Sequence, residues 1–114
     1  MELIELDNSA RTAKEASNSL NTERGSIVKS LLFKNENDDY YLCLVSGDKL
    51  VSLEKLSSII NDEIIKASAN DIKIQTGYSI GGVPPVAHKT PPTQIFIDSN
   101  LKRFEKIYAA AGHP

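Results

Sequence analysis

Between Gly77 and Lys89 the chain reads Gly-Tyr-Ser-Ile-Gly-Gly-Val-Pro-Pro-Val-Ala-His-Lys, and this run limits the fold more than any other stretch. It holds three of the six glycines, two of the five prolines and one of the two histidines. Proline lacks a backbone donor and glycine weakens regular structure, so neither a helix interior nor a central strand can run through it. The stretch must be a shaped loop. Gly81 and Gly82 can take positive φ or admit a close neighbour, while Pro84 and Pro85 fix their own φ and stiffen the exit. A rigid loop of this kind is either a tight structural connection or a presenter of bare N–H and C=O groups to a small polar ligand.

A second unusual stretch is Gly25-Ser-Ile-Val-Lys29-Ser-Leu-Leu-Phe33. Alternation along a strand places Ile27, Lys29, Leu31 and Phe33 on one face and Val28, Ser30 and Leu32 on the other. Both faces are largely apolar, as in an interior strand. The lysine in its middle either snorkels to an edge or opens into a pocket, where it can hold a phosphate or a carbonyl oxygen.

At 114 residues, with 40% hydrophobic and 25% charged residues, the chain has the size and composition of one globular domain with a modest core. Thirteen basic residues against fifteen acidic ones give a net charge of −2, so any RNA contact must be local and involve few phosphates. The single cysteine, Cys43, excludes an internal disulfide and a cysteine-rich metal site, and it fits a reducing cytoplasm. The sequence has no signal-peptide pattern and no apolar run near the roughly 20 residues of a membrane span. A cytoplasmic monomer without membrane contact is the expectation.

Ser9 to Leu20 reads as an amphipathic helix, with Thr12 and Glu15 spaced as a capping box and Ala13, Ala16 and Leu20 on one stripe. Asn35 to Asp39 is a polar hairpin-like loop leading into a β-rich run, Tyr40 to Ser46, where Cys43 reads as a packing residue. After the Ser46-Gly47-Asp48 turn, Ser52 caps a helix with Leu53, Leu56 and Ile59 or Ile60 as its apolar stripe. Ile64 to Ala67 reads as a strand, and Ser68 caps a short helix that carries Ile72 and ends at Gly77 in the C′ position. Beyond the loop, Gln94 to Asp98 reads as a strand. Ser99 or Asn100 then caps a helix through about Tyr108, with Leu101, Phe104 and Tyr108 inside and Lys102, Arg103 and Lys106 outside. This order, without strict βαβ alternation or repeats, predicts an α+β domain with a mixed, curved sheet and flanking helices.

Several chemistries find no support. His88 and His113 lie on different segments without a metal-binding pattern, so no metal is expected. Phosphate-loop, dinucleotide and Gly-x-Ser-x-Gly fingerprints are missing, and no cofactor is implied. What remains is a site of one lysine, the backbone of a Gly/Pro loop and His88. Such a site can stabilise an oxyanion with N–H donors and leave the attack to water or to the substrate's own hydroxyl.

The runs Thr12-Ala-Lys-Glu-Ala16, Ile27-Val-Lys29-Ser-Leu31, Thr76-Gly-Tyr-Ser-Ile-Gly-Gly-Val-Pro-Pro85 and Ala109-Ala-Ala-Gly-His-Pro114, in this order, resemble the YbaK/prolyl-tRNA-synthetase-associated editing family. The resemblance puts the family's lysine on Lys29 and its Gly-x-x-x-Pro motif on Gly81 through Pro85. It implies an aminoacyl-tRNA deacylase acting in trans on the 3′ end of a mischarged tRNA. The implied substrates are tRNA(Pro) or tRNA(Cys) species carrying a small residue such as alanine or cysteine, with a synthetase as a further partner. On this reading Lys29 contacts the terminal-adenosine phosphate or backbone, and Gly81 and Gly82 contact the reacting ester. Val83, Pro84 and Pro85 shape the walls, with His88 a supporting group at the same end. Members of the family continue past Ala-Gly-His-Pro with another strand and a helix, which a chain ending at Pro114 is expected to lack. The alternative from another class is a non-catalytic module that binds a tRNA end or a synthetase.

Overall fold

The computed structural model describes residues 2–6 by their backbone, and residues 24–80 and 82–110. The helix expected over Ser9 to Leu20, together with Gly81 and His113, lies outside the described residues. The described elements are β1 (Glu2–Leu6), a 3-10 turn (Arg24–Ser26), β2 (Val28–Lys34), β3 (Tyr40–Ser46), α1 (Leu53–Ile60), β4 (Ile65–Lys66), α2 (Ala69–Thr76), β5 (Gln94–Ile97), a second 3-10 turn (Ser99–Arg103) and β6 (Lys106–Ala110). The fold is α+β, as expected, with a mixed four-stranded sheet in the order β4-β2-β3-β5. β2 pairs antiparallel with β3 and β4, and β3 pairs parallel with β5. A two-stranded parallel pair, β1 with β6, is joined to this sheet by a bridge between Ile27 and Tyr108.

The hairpin β2–β3 is the centre. Asn35 shapes its turn by accepting the Asn37 and Asp39 N–H groups at 3.0 and 2.9 Å on its side-chain oxygen, a local substitute for ladder bonds. The alternation read from the sequence holds. Phe33, Tyr41, Cys43 and Val45 form one cluster with Leu56 of α1 and Ile64. Leu32, Tyr40 and Leu42 form another with Ala67, Ile72 of α2 and Val83 of the long loop. On that second side Val28 also packs with Leu101, Ile107 and Ala109. The sheet is therefore buried on both faces, with α1 on one and α2, the loop and β6 on the other.

Near the end of the chain the structure departs from the helix expected there. Instead of a helix from Ser99 or Asn100 to Tyr108, a 3-10 turn capped by the Asp98 carboxylate is followed by β6. Leu101 and Phe104 do turn inward, but Ile107 and Ala109 are buried at strand spacing. The reason is non-local: β6 finds hydrogen-bond partners in β1, from the opposite end of the chain. β1 itself was not anticipated. In α1, Leu56 and Ile60 face the core, whereas Leu53 and Ile59 are 43% and 64% exposed, because so short a helix seats a single i, i+4 line. The strand expected over Ile64 to Ala67 is reduced to Ile65–Lys66.

Leu42 is fully buried, at 0% exposure, in the middle of β3. Leu42→Ala is expected to destabilise the protein by about 2–5 kcal/mol in urea unfolding, from lost transfer energy plus the cavity left behind. A second expectation concerns acid. Lys34 of β2 pairs with Asp71 at 2.9 Å, and Asp71 also accepts the Ser68 N–H, closing the capping box of α2. Led by the Lys34 hydrogen bond, these contacts push the Asp71 carboxyl from 3.8 down to about 2. Its folded value lies below its unfolded one, so its contribution is fully present above about pH 4 and is lost as pH falls toward about 2. Denaturant titrations across that window should show a loss of stability that Asp71→Asn removes.

Candidate functional site

The Gly/Pro loop is built outward from the last turn of α2. That helix ends at Gly77, whose φ of 85° only glycine adopts without strain and whose N–H donates to the Lys73 carbonyl at 2.9 Å. Thr76, 1% exposed, donates its hydroxyl to the Ile72 carbonyl at 2.7 Å and accepts the Tyr78 N–H at 3.1 Å. The far end of the loop returns to the same turn: the Lys89 N–H donates to the Thr76 carbonyl at 2.8 Å and the Thr90 N–H to the Gln75 carbonyl at 2.9 Å. The segment is thus an irregular loop closed at its base, as the sequence predicted.

Within the loop, the Gly82 N–H donates to the Ser79 carbonyl at 2.9 Å. Val83 is buried in the cluster of Leu32, Tyr40 and Leu42. Pro84 is buried, and its carbonyl lies 2.7 Å from His88 Nε2. Tyr78 donates its hydroxyl to the Ala87 carbonyl at 3.0 Å and presents its ring edgewise to His88, with centroids 6.4 Å apart. Pro85 and His88 line one cavity of about 300 Å³ with Val86, Ala87, Pro91, Pro92 and Ile95. Its walls are mostly apolar.

Lys29 lies elsewhere. Its Cα pairs with Val45, and Leu31 and Phe33 on its face pack toward α1, whereas Val83 packs on the opposite face. The Lys29 ammonium donates to the Lys49 carbonyl. Burial, followed by the charge of Arg24, pulls its pKa below the ordinary lysine value, while Asp48 and Asp98 act the other way. Among the described residues no carboxylate lies within ion-pair distance of it. On this face a cleft of about 430 Å³ runs between α1 and β5, with Cys43, Val45 and Phe96 along it and Lys49 and Lys55 among its polar groups.

The structure therefore brings Pro85 and His88 together, sets Val83 in the core, and places Lys29 on the other side of the sheet. The anchoring roles of Thr76 and Tyr78 were not assigned from sequence, although both stand in the Thr-Gly-Tyr run that precedes the glycine pair. The carbonyl that receives Lys29 leaves no trace in residue identity, because every residue carries one. Lys102, Arg103 and Lys106 are all exposed, as expected of an outer face, and Arg103 also ties two segments: its guanidinium bonds Ser46 Oγ and pairs with Asp48, both at 2.9 Å.

The fold and this loop define an editing-type domain. The family model of the aminoacyl-tRNA editing domain matches residues 7–114, and the chain belongs to that family. A crystal structure of a candidate trans-editing enzyme for prolyl tRNA synthetase is 40% identical with a TM-score of 0.86, covering 97% of this chain and 69% of that one. The uncharacterized protein YwhH of Bacillus subtilis (strain 168) is 30% identical over 111 residues, 97% of this chain and 70% of YwhH. The proline–tRNA ligase of Thermosipho africanus (strain TCF52B) is 35% identical over 103 residues, which are 90% of this chain and 18% of the ligase. The chain spans less than a fifth of that ligase.

Cys43 is buried among Phe33, Tyr41 and Val45, and burial, then Asp98, raises its thiol pKa. A reactive thiolate needs the reverse. Iodoacetamide at neutral pH should leave Cys43 unmodified in the folded protein and label it fully in denaturant, as read by mass spectrometry; rapid labelling of the folded chain would contradict the packing role.

Proposed function

We propose that this protein is a trans-acting aminoacyl-tRNA deacylase, which hydrolyses the ester joining a wrong, small amino acid to the 3′-terminal adenosine of a tRNA. One observation in the geometry carries the reading: a half-buried lysine ammonium with no carboxylate partner among the described residues, on a domain whose family is defined by editing. An ammonium has three donors, and Lys49 takes one. The others suit an anionic oxygen.

The separation of Lys29 from the loop favours a tRNA phosphate over the ester as its ligand. A nucleic-acid strand is long enough to set a phosphate against one side of a sheet while its end reaches round to the other. The loop is the ester's side. There the apolar cavity beside Pro85 and His88 offers walls to a small side chain, with Gly81 and Gly82 supplying backbone at the carbonyl. Gly82 already uses its N–H within the loop, so its part is to let the ester approach closely. Water adds to the carbonyl carbon, loop N–H groups other than that of Gly82 hold the resulting oxyanion, and the ribose oxygen leaves as a hydroxyl carrying a proton given up by the water. An aminoacyl ester is already activated, so positioning can suffice without a protein nucleophile. Exclusion by apolar walls is worth only about 1–3 kcal/mol per methylene, so side-chain selection is imperfect. The substrates in this reading are alanyl- or cysteinyl-tRNA of the proline or cysteine type, handled by a cytoplasmic monomer, with a synthetase as partner.

The occupied Gly82 N–H also suits a second reading, a module that binds the tRNA end without hydrolysing it. The two separate on a panel of alanyl-, cysteinyl-, seryl- and prolyl-tRNA(Pro). Faster loss of one mischarged ester with prolyl-tRNA(Pro) spared is the expected result; binding with decay no faster than in buffer would select the module. Lys29→Ala is expected to lower kcat/KM by roughly 10- to 100-fold, the worth of one charge-assisted hydrogen bond, with the fold intact by circular dichroism. Undiminished hydrolysis by that variant would remove Lys29 from the site.

A further inference from the structure

The sequence Val83-Pro84-Pro85 poses a hydrogen-bonding problem. Two of its residues carry no N–H, and the Pro84 carbonyl belongs to a peptide whose nitrogen is also proline's. A buried carbonyl there needs a donor from elsewhere. The donor is His88, four residues on, with Nε2 at 2.7 Å from the oxygen. Nε2 must then carry the ring proton. The other nitrogen, Nδ1, is sealed from solvent and has no partner among the described residues, so a proton there would be a buried, unpaired donor. Both nitrogens are thereby spoken for: one is engaged and the other is inaccessible. A proton from a substrate or water could go only to Nδ1, the nitrogen that is sealed from solvent.

The surrounding geometry is arranged to hold the ring. Ala87 has φ of 64°, a left-handed conformation that costs a residue with a Cβ about 1–2 kcal/mol. That conformation turns the chain so that residue 88 faces back toward residue 84. Tyr78 secures the turn, donating its hydroxyl to the Ala87 carbonyl at 3.0 Å and packing edgewise on the imidazole. Lys89 and Thr90 then tie the strap to α2 through the Thr76 and Gln75 carbonyls. His88 thus links the firmly anchored end of the loop to the Gly82–Pro85 segment.

We propose that His88 is a positioning residue, which as the neutral Nε2–H tautomer latches the Pro84 carbonyl and so sets the direction of the Gly82–Pro85 backbone against the substrate ester. The inference rests on the deacylase reading above. It assigns His88 no proton transfer and no contact with the reacting atoms.

Three measurements test it. In the wild-type protein, long-range proton–nitrogen NMR of the imidazole should show a neutral ring protonated at Nε2; an Nδ1–H ring or a mixture of tautomers would overturn the latch. His88→Gln places an amide N–H near the same carbonyl, whereas His88→Leu fills the space without a donor. His88→Leu should lose roughly 10- to 100-fold in kcat for deacylation with KM for tRNA nearly unchanged, because the ester is misplaced while the tRNA is still held. His88→Gln should recover most of that loss, which a general base would not permit. Equal activity of a folded His88→Leu, or no rescue by His88→Gln, would refute the positioning role while leaving deacylation by the wild type standing. A wild type inactive on every mischarged tRNA would instead refute the deacylase reading, and this inference with it.

Discussion

The hairpin of β2 and β3, buried on both faces, is the constraint from which the rest of the molecule follows. Its seven residue pairs fix which side chains point each way, since a slip of one residue would exchange the two apolar sets. Leu56 of α1 docks against Phe33, Tyr41 and Cys43, while Ile72 of α2 docks against Leu32, Tyr40 and Leu42. The register of one hairpin therefore decides that α1 and α2 lie on opposite sides. The loop continues from α2, so its side is settled by the same register.

Two lysines of β2 illustrate what that alternation does to charge. Lys34 reaches Asp71 on the α2 side, and the hydrogen bond to that carboxylate raises its pKa. Lys29, of opposite parity, meets a backbone carbonyl and the nearby charge of Arg24, and burial lowers its pKa. One lysine is satisfied within the fold. The other keeps donor capacity among the described residues.

The loop shows how a segment poor in backbone donors is made rigid. Prolines at 84 and 85 remove two N–H groups, and side chains make up for them: the Tyr78 hydroxyl and His88 Nε2 donate to the Ala87 and Pro84 carbonyls, and the Thr76 hydroxyl accepts the Tyr78 N–H at the base. Rigidity of this kind suits a site that acts by positioning, where a displacement of about 1 Å can cost roughly 100-fold in rate. Gly25 serves a comparable purpose at the start of the sheet, since a Cβ there would come within 2.8 Å of Asp48 and Phe104, the neighbours of the Arg103 tie.

Much of this was legible in the sequence because it is governed by contacts between near neighbours. Ser52 and Ser68 cap helices through N–H groups three residues on, Gly77 ends α2 with the positive φ glycine permits, and Asn35 closes its turn on Asn37 and Asp39. The Gly/Pro run could be nothing but a loop, and the ordered motifs pointed to the editing family to which the chain belongs. Tertiary structure alone decided the rest. Lys106–Ala110 became a strand because β1, at the other end of the chain, offered it hydrogen bonds that no local pattern announces. Val83 went to the core and Lys29 to the far face because parity along β2 and the docking of α2 fix which side of the sheet each segment meets. Residue identity specifies bonds made within a few positions; pairing between distant segments depends on how the whole chain closes on itself.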